Sequence, residues 1–495
     1  MSIQQTLQPV AADHTLDPRR WWILCVIVLA QFMFVVDVFI VNVAIPAIQL
    51  DLHASSGQIQ LVLAAYQLAY AVLLITGGRL GDIFGRKRLF LIGLGGFTTA
   101  SAFCGFAPTA SVLVGARVFQ GLAAALMAPQ VLAVIQVSFP QRERSAAFGI
   151  FGFALGMGSI VGLILGGVLI SGNVFGLGWR MIFLVNLPVG LFGLLAALPL
   201  LRESRSPAAL KVDGIGVALI SIALFFLTYP LVVGRDLGWP LWSILCLIAS
   251  LPMLFLFARY ERSKAAKDGS PLVNLALFRH GAFVLGLVIT FVFYAGIVSF
   301  LLILTLYLQT GRHFTALAAG LTTTSLAIGF FVTSTAAVRL VPRLGGRVVL
   351  LLGMFVMAIG LGSIWFSVSA SGTNLPVIAL IVGLFVYGLG EGFVLPTLVN
   401  TVLSGIQSAE AGSIAGVFTT MQQISGAIGV ALIGIIFFGQ LATQAPANSP
   451  RLQSYTQAFA VSIWYTIALL LMTCVLTFWL PRQVRVHQPE LVDLG

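Results

Sequence analysis

The chain has 495 residues, of which 59% are hydrophobic and only 8% charged, with a formal net charge of +11 and a mean hydropathy of +1.05. A soluble fold cannot enclose so much apolar sequence without exposing large patches, so a bilayer must serve as part of its solvent. The apolar runs are long and do not alternate, which excludes an outer-membrane barrel and leaves helices that satisfy their own backbone groups in lipid.

Residues 1–20 form a polar leader. The apolar stretch that starts at Trp21 is too long for the core of a cleavable signal and is expected to be a retained helix. Spans are predicted at about 21–46, 58–78, 88–108, 111–137, 145–171, 179–201, 214–234, 240–258, 282–308, 316–338, 348–368, 376–403, 411–438 and 458–480. Most connections are short, so consecutive helices must pack as neighbours. Two longer ones, Arg202–Asp213 and Arg259–Gly281, set the seventh and eighth spans apart. The predicted organisation is a cytoplasmic segment 1–20, a six-helix bundle 21–201, a linker 202–281 carrying an inserted helix pair, a second six-helix bundle 282–480, and a cytoplasmic tail 481–495. The expected fold class is an all-α polytopic membrane protein.

Lys and Arg fall almost wholly on one side of these spans. Only Arg180, Arg235, Arg312 and Arg451 lie on the other, and Arg117 lies within a span. That bias puts both termini in the cytoplasm and makes the basicity topogenic, so nucleic acid is not an expected partner. The four cysteines (Cys25, Cys104, Cys246, Cys474) all lie in apolar runs without paired spacing, which favours neither a disulfide frame nor a metal site.

A faint repeat runs through the chain. Arg79-Leu80, followed by Gly85 and Lys87, reappears as Arg339-Leu340, followed by Gly345 and Arg347. Every pair is offset by the same 260 residues and follows the second span of its half. Weakly similar halves related about the membrane normal characterise one large class of secondary transporters.

Three charges fall deep within spans: Asp37, Arg117 and Glu391. Each costs about 2.5–3.5 kcal/mol at mid-bilayer even on a lenient insertion scale, so such residues usually face a polar cavity and do work. Arg117 keeps its proton and acts by setting the state of a nearby carboxylate, with Gln120 one turn away. Asp37, followed by Asn42, reads either as a helix-packing or gating hydrogen-bond centre on the cavity wall or as a proton acceptor or polar gate. Glu391 stands between Gly390 and Gly392, whose missing side chains are expected to open space around it. A carboxyl in such an apolar cavity can exchange a proton in the working pH range. Further polar candidates for a cavity wall are Gln31, Tyr66, Gln67, Tyr294, Asn400 and Gln422, with Gln130, Gln309 and Gln423. Phe34, Phe151, Phe393 and Phe418 are candidates to stack on a flat or cationic ligand.

Several segments carry a family resemblance. Gly78-Arg79-Leu80-Gly81-Asp82-Ile83-Phe84-Gly85-Arg86-Lys87-Arg88, between spans 2 and 3, resembles the signature loop of the major facilitator superfamily, except that Ile83 stands where a basic residue is common. Its glycines allow a tight turn, and Asp82 is expected to favour the positive end of a neighbouring helix. Asp37–Pro46 resembles the first-helix motif of the fourteen-helix drug:proton antiporters, and Trp179–Pro188 the start of helix 6 in that branch. Arg117-Val118-Phe119-Gln120-Gly121 resembles the motif whose arginine is implicated in proton coupling. In span 5, Gly149, Gly158, Gly162, Gly166 and Gly167 match the antiport motif, with Leu163 at its usual proline position. These glycines read as a hinge or as a close-packing face.

The resemblance implies a major facilitator fold and a proton-coupled antiporter, most simply a multidrug or antibiotic exporter working by alternating access in the bacterial inner membrane. It implies an amphipathic or cationic small-molecule substrate, protons as the coupling ion, and no cofactor beyond the proton gradient. The short segment Gly439–Gln457 is expected to make a periplasmic adaptor unnecessary. The alternatives are an exporter of an endogenous metabolite, lipid or biosynthetic product, and a polytopic membrane enzyme. The loops offer no cluster of His, Asp or Ser for the latter, and no phosphate-binding Gly-x-x-x-x-Gly-Lys motif supports ATP-driven transport.

Overall fold

A computed structural model of the chain describes residues 18–206, 211–234, 237–273, 275–279, 281–371, 375–403, 411–443 and 451–480. Among the described residues, fourteen helices are long and apolar enough to cross a membrane. They are α1 (Arg20–Asp51), α2 (Ser56–Phe84), α3 (Arg86–Gly105), α4 (Ala110–Ser138), α5 (Gln141–Ser171), α6 (Gly178–Leu200), α7 (Gly214–Val233), α8 (Leu241–Asp268), α9 (Gly281–Leu306), α10 (Ala316–Leu344), α11 (Gly346–Ser371), α12 (Val377–Leu403), α13 (Ala411–Thr443) and α14 (Arg451–Thr477).

Local signals start and stop these helices where a hydropathy average cannot. Ser55 begins α2 with a capping box: its hydroxyl accepts from Gln58 N at 3.1 Å, and Gln58 Oε1 accepts from Ser55 N at 3.0 Å. Thr315 caps α10 by the hydroxyl alone, which accepts from Ala318 N at 3.1 Å. Ser55 and Thr315 are themselves 260 residues apart. At the far ends of these helices, Gly85 and Gly345 take positive φ of 115° and 82°, a region that favours glycine. Each donates its N–H to the carbonyl four residues back, at 2.9 Å, and so closes one helix as the next begins. The repeat seen in the sequence is therefore one helix–turn–helix unit used twice.

α1–α6 form one bundle and α9–α14 the other, with α7 and α8 inserted between. The loop end that carries Arg86, Lys87 and Arg88 is called the basic face here; α1 begins on it, where Arg20 pairs with Glu143 at 2.7 Å. The halves meet along two seams, α2 against α13 and α5 against α10. The inserted helix α7 lies against both α2 and α13, while α8 packs chiefly on α7.

Several boundaries differ from expectation: α1 runs on to Asp51, α2 to Phe84, α8 to Asp268 and α13 to Thr443, and α14 begins at Arg451. The predicted linker 259–281 is helical through Asp268, because Arg, Glu, Lys and Ala are good helix formers outside the bilayer as well. It stops at Gly269, whose φ of 67° terminates the helix. The linkers then dock on the α2–α3 turn. Arg79 donates to the carbonyls of Lys211 at 3.2 Å, Ser270 at 3.1 Å, Leu272 at 3.3 Å, and Pro271. Glu203 Oε1 accepts from Lys87 N at 3.1 Å in the first turn of α3, a favourable place for a negative charge.

Candidate functional site

Within the first bundle, four helices bring buried polar side chains to one point. Arg117 on α4 donates through Nη1 to Asp37 Oδ2 on α1 at 2.6 Å and to Gln120 Oε1 at 2.6 Å. Gln120 Nε2 donates to Asp37 Oδ1 at 2.9 Å and to Ser101 Oγ on α3 at 2.9 Å. Asn186 on α6 also donates to Asp37 Oδ1, at 2.9 Å. All of these residues are almost fully buried. Asp37 therefore receives three donors, and its charge is matched without water. The Arg117 guanidinium lies 3.9 Å from the centroid of the Tyr66 ring, a cation–π contact strengthened by exclusion of water.

Asn186 is carried to this point by α6, which stays helical through Val185 (φ −60°, ψ −24°). Pro188 has no N–H to offer the carbonyl four residues back, which loosens the turn there. Neither Asn186 nor Ser101 was singled out by the sequence. Asn186 had a signal, being a polar residue in a conspicuous apolar segment; Ser101 had none.

Between the bundles lies a cavity of about 800 Å³. Its first-bundle wall carries Phe34, Asn42, Tyr66, Gln67 and Arg117, and its second-bundle wall Tyr294, Phe300, Phe330, Tyr387, Glu391, Gln422 and Gln423. The wall is largely apolar, with nine aromatic rings and a few convergent polar groups, as ligand sites commonly are. Tyr294 OH accepts from Gln422 Nε2 at 2.6 Å. Glu391 is 7% exposed, and its Oε2 has no hydrogen-bond partner.

The predicted residues thus divide. Arg117 touches both the buried network and the cavity, Asp37 and Gln120 belong to the network, and Glu391 belongs to the cavity. Asn42, Tyr66, Gln67, Tyr294 and Gln422 line the cavity. Gln31 is buried away from it, and Asn400 is exposed. Of the four phenylalanines proposed to stack on a ligand, Phe34 lines the cavity; Phe418 is core, and Phe151 and Phe393 are not on the wall.

The glycines around Glu391 do something other than expected. A Cβ on Gly388 would overlap Leu326 O of α10, and one on Gly390 would stand 2.5 Å from Met357 N of α11. One on Gly392 would strike Thr333 and Phe330 of α10. They let α10 and α11 close onto α12 instead of opening space beside the carboxylate. In α5, Cβ atoms on Gly158, Gly162 and Gly166 would press on α1 at Val35, Val36 and Ile40, whereas one on Gly167 would stand 2.6 Å from Leu317 Cα in the other half. Asp82 pairs with Arg86 at 2.8 Å, and Gly78 lies near Pro129.

Two pseudo-repeated bundles around a central cavity, with buried charges on its walls, define a membrane transporter of the alternating type. The sequence profile of the Major Facilitator Superfamily matches residues 27–430, and the chain belongs to that family. It is 39% identical to the probable actinorhodin transporter of Streptomyces coelicolor over 430 residues, which is 87% of this chain and 74% of that protein. It is 34% identical to the puromycin resistance protein pur8 of Streptomyces alboniger, covering 94% and 92%. It is 31% identical to the tetracenomycin C resistance and export protein of Streptomyces glaucescens, covering 91% and 84%. Solved structures share the fold: an auto-inhibited POT family peptide transporter superposes with a TM-score of 0.66 at 15% identity, covering 95% of this chain and 99% of that one. The xylose transporter XylE from E. coli gives a TM-score of 0.59 at 15% identity, covering 93% and 99%.

Proposed function

We propose that this chain is a proton-coupled exporter of amphipathic, antibiotic-like molecules, and not an enzyme. It sits in the bacterial inner membrane with the basic face and both termini in the cytoplasm, and works by alternating access without a cofactor or an obligatory adaptor. Similarity to three proteins named for transport of, or resistance to, antibiotics supports the substrate class. The observation that carries the mechanism is the unpartnered Glu391 carboxyl on an aromatic wall, across the cavity from an Asp37 carboxylate that is already fully bonded.

The two acids take different parts in this reading. Glu391 receives the cation or donor group of a substrate, and protonation of the same carboxyl releases it. The Asp37–Arg117 pair, whose guanidinium borders the cavity while its carboxylate is enclosed, opens and re-forms as α1 and α4 move during the cycle. Reconstitution into liposomes under an imposed pH gradient, with puromycin and tetracenomycin C as cargo, tests the proposal. Gradient-driven uptake of either supports it. Uptake that ignores the gradient overturns the proton coupling.

A further inference from the structure

Two further acids are buried where the inserted helices meet the linkers, and neither lines the cavity. Asp213 caps the start of α7 and is 1% exposed; Glu261, on the last part of α8, is fully buried. One oxygen of each is bonded. Asp213 Oδ1 accepts from Gly216 N and from Tyr260 OH, both at 2.9 Å, and Glu261 Oε2 accepts from Val273 N at 2.9 Å. The other two oxygens, Asp213 Oδ2 and Glu261 Oε1, have no donor. They converge on one spot: a Cβ on Gly216 would stand 2.7 Å from the first and 2.5 Å from the second. The two carboxyls lie within hydrogen-bonding reach of each other.

The charged neighbours are engaged elsewhere. Arg79 of α2 is bonded to the carbonyls of Lys211, Ser270, Pro271 and Leu272. Asp82 of α2 pairs with Arg86, and Lys264 of α8 lies by the Tyr260 hydroxyl. Lys211, Arg262, Lys267 and Arg279 are exposed, and α13, which packs on α7, carries no charged residue. Two carboxylates side by side and out of water repel so strongly that one of them holds a proton. Asp213 has two donors and the positive end of α7, which favour a charge there. The proton therefore belongs on Glu261 Oε1, which then donates to Asp213 Oδ2 and leaves neither oxygen without a partner. A hard cation fits less well, since it takes about six to eight oxygens and this point offers two.

We propose that Asp213 and Glu261 form a second proton-binding site, in which one shared proton fastens the inserted helices to each other and to the linker that follows them. The contacts are continuous. Tyr260 and Glu261 hold the start of α7 from α8, and Glu261 also holds Val273. Arg79 grips the next carbonyl, Leu272 O, and on the other linker Lys211 O, from the α2–α3 turn. Loss of the proton sets two negative charges face to face beside Gly216 and drives the start of α7 away from α8. The linkers then loosen on the α2–α3 turn. This site answers to the proton activity at the basic face and is distinct from Glu391 in the cavity. It rests on neither the export reading nor the proton coupling proposed above.

Two measurements on the full chain test the site, both in a Glu391→Gln background that removes the cavity carboxyl. Infrared difference spectra in lipid vesicles read the proton directly. The expected result is a protonated-carboxyl C=O band, shifted in deuterium oxide, that fades between pH 6 and pH 9 and is missing from both Glu261→Gln and Asp213→Asn. No such band at pH 6, or a band that survives in both variants, overturns the proposal. Thermal unfolding over the same range reads the linkage. Carboxyls of the unfolded chain have lost their protons by pH 6, so the folded pair binds one proton more and stability falls as pH rises. In either variant an amide N–H takes the place of the shared proton, so the melting temperature at pH 6 is expected to hold and the fall to flatten. An unchanged slope in both counts against the shared proton. Failure of both variants to fold, with every hydrogen bond provided for, means that the pair needs two charges and overturns it as well. A melting temperature that drops on adding EDTA identifies a bound cation instead.

Discussion

The Asn186 side-chain amide donates to the Asp37 carboxylate at 2.9 Å, tying α6 to the middle of α1. With Gln120 and Arg117 it completes the set of donors around a carboxylate that is fully buried. Removing one neutral donor of a buried carboxylate typically costs about 1–3 kcal/mol, and removing the charged partner of a buried pair about 3–5 kcal/mol. Asn186→Ala is therefore expected to lower thermal stability in detergent measurably, and Arg117→Ala markedly more. Calorimetry on the purified protein checks the order. Equal effects would mean that the network is not organised around Asp37.

Glu391→Gln keeps the side-chain shape but removes the exchangeable charge from the cavity wall. The variant is expected to insert and unfold like the wild type, while binding of cationic substrates weakens by tenfold or more. The sign of the pH effect follows from competition. A proton and a cation contend for the same carboxyl, so wild-type affinity for a cation rises as pH rises. In Glu391→Gln that slope flattens. Binding isotherms between pH 6 and pH 9 read both effects, and an unchanged slope would remove Glu391 from the coupling step.

Gly388 is seated against the α10 backbone at Leu326 and Gly390 against α11 at Met357. Overpacking a closely fitted site costs about 1–3 kcal/mol or more. Gly390→Val should prise α11 from α12 and lower the yield of folded protein, whereas Gly362→Val, where nothing lies within 4 Å, should be tolerated. Size-exclusion profiles in detergent separate the two.

Arg79 is bonded to four backbone carbonyls of the two linkers, whereas its repeat equivalent, Arg339, is exposed on the second bundle. Arg79→Ala is expected to expose the linkers to limited proteolysis and separate the inserted pair from the α2–α3 turn. Arg339→Ala should leave the digestion pattern unchanged. Cleavage mapped between α6 and α9 gives the answer.

At the end away from the basic face, Gln309 Nε2 of the second bundle donates to Val43 O of the first at 2.7 Å. The donor sits in a five-residue π-helical turn, Tyr307–Gly311, at the end of α9, a distortion frequent at functional sites. Gln309→Ala removes a cross-bundle bond and is expected to raise the population open to that side. Labelling rates of a cysteine introduced at Asn42 on the cavity wall, with an impermeant maleimide added from that side, measure the shift.

Much of the architecture was legible in order along the chain. Spans announce themselves by length and hydropathy, since lipid demands self-bonded helices. The repeat showed through Arg79 and Arg339 because both halves need glycine at the same positive-φ turn. The functional acids were visible for a related reason: a charge within an apolar run is costly, and Asp37, Arg117 and Glu391 stood out against it. Partnership was not visible. Ser101 and Asn186 are ordinary polar residues in helices, and their roles depend on where α3 and α6 lie beside α1.

The sequence by itself therefore determined the membrane setting, the fourteen helices, the duplicated halves and the three costly charges, because each is a property of local composition against a fixed solvent. Only the tertiary structure decided which of those charges are satisfied and which remains open. Asp37 and Arg117 neutralise one another through contacts between residues 80 positions apart, and Glu391 is left with a free oxygen on a cavity wall. The fit of α12 between α10 and α11, the acid pair between α7 and α8, and the cover that α7 lays over the α2–α13 seam are likewise set by packing between distant segments, which no local pattern encodes.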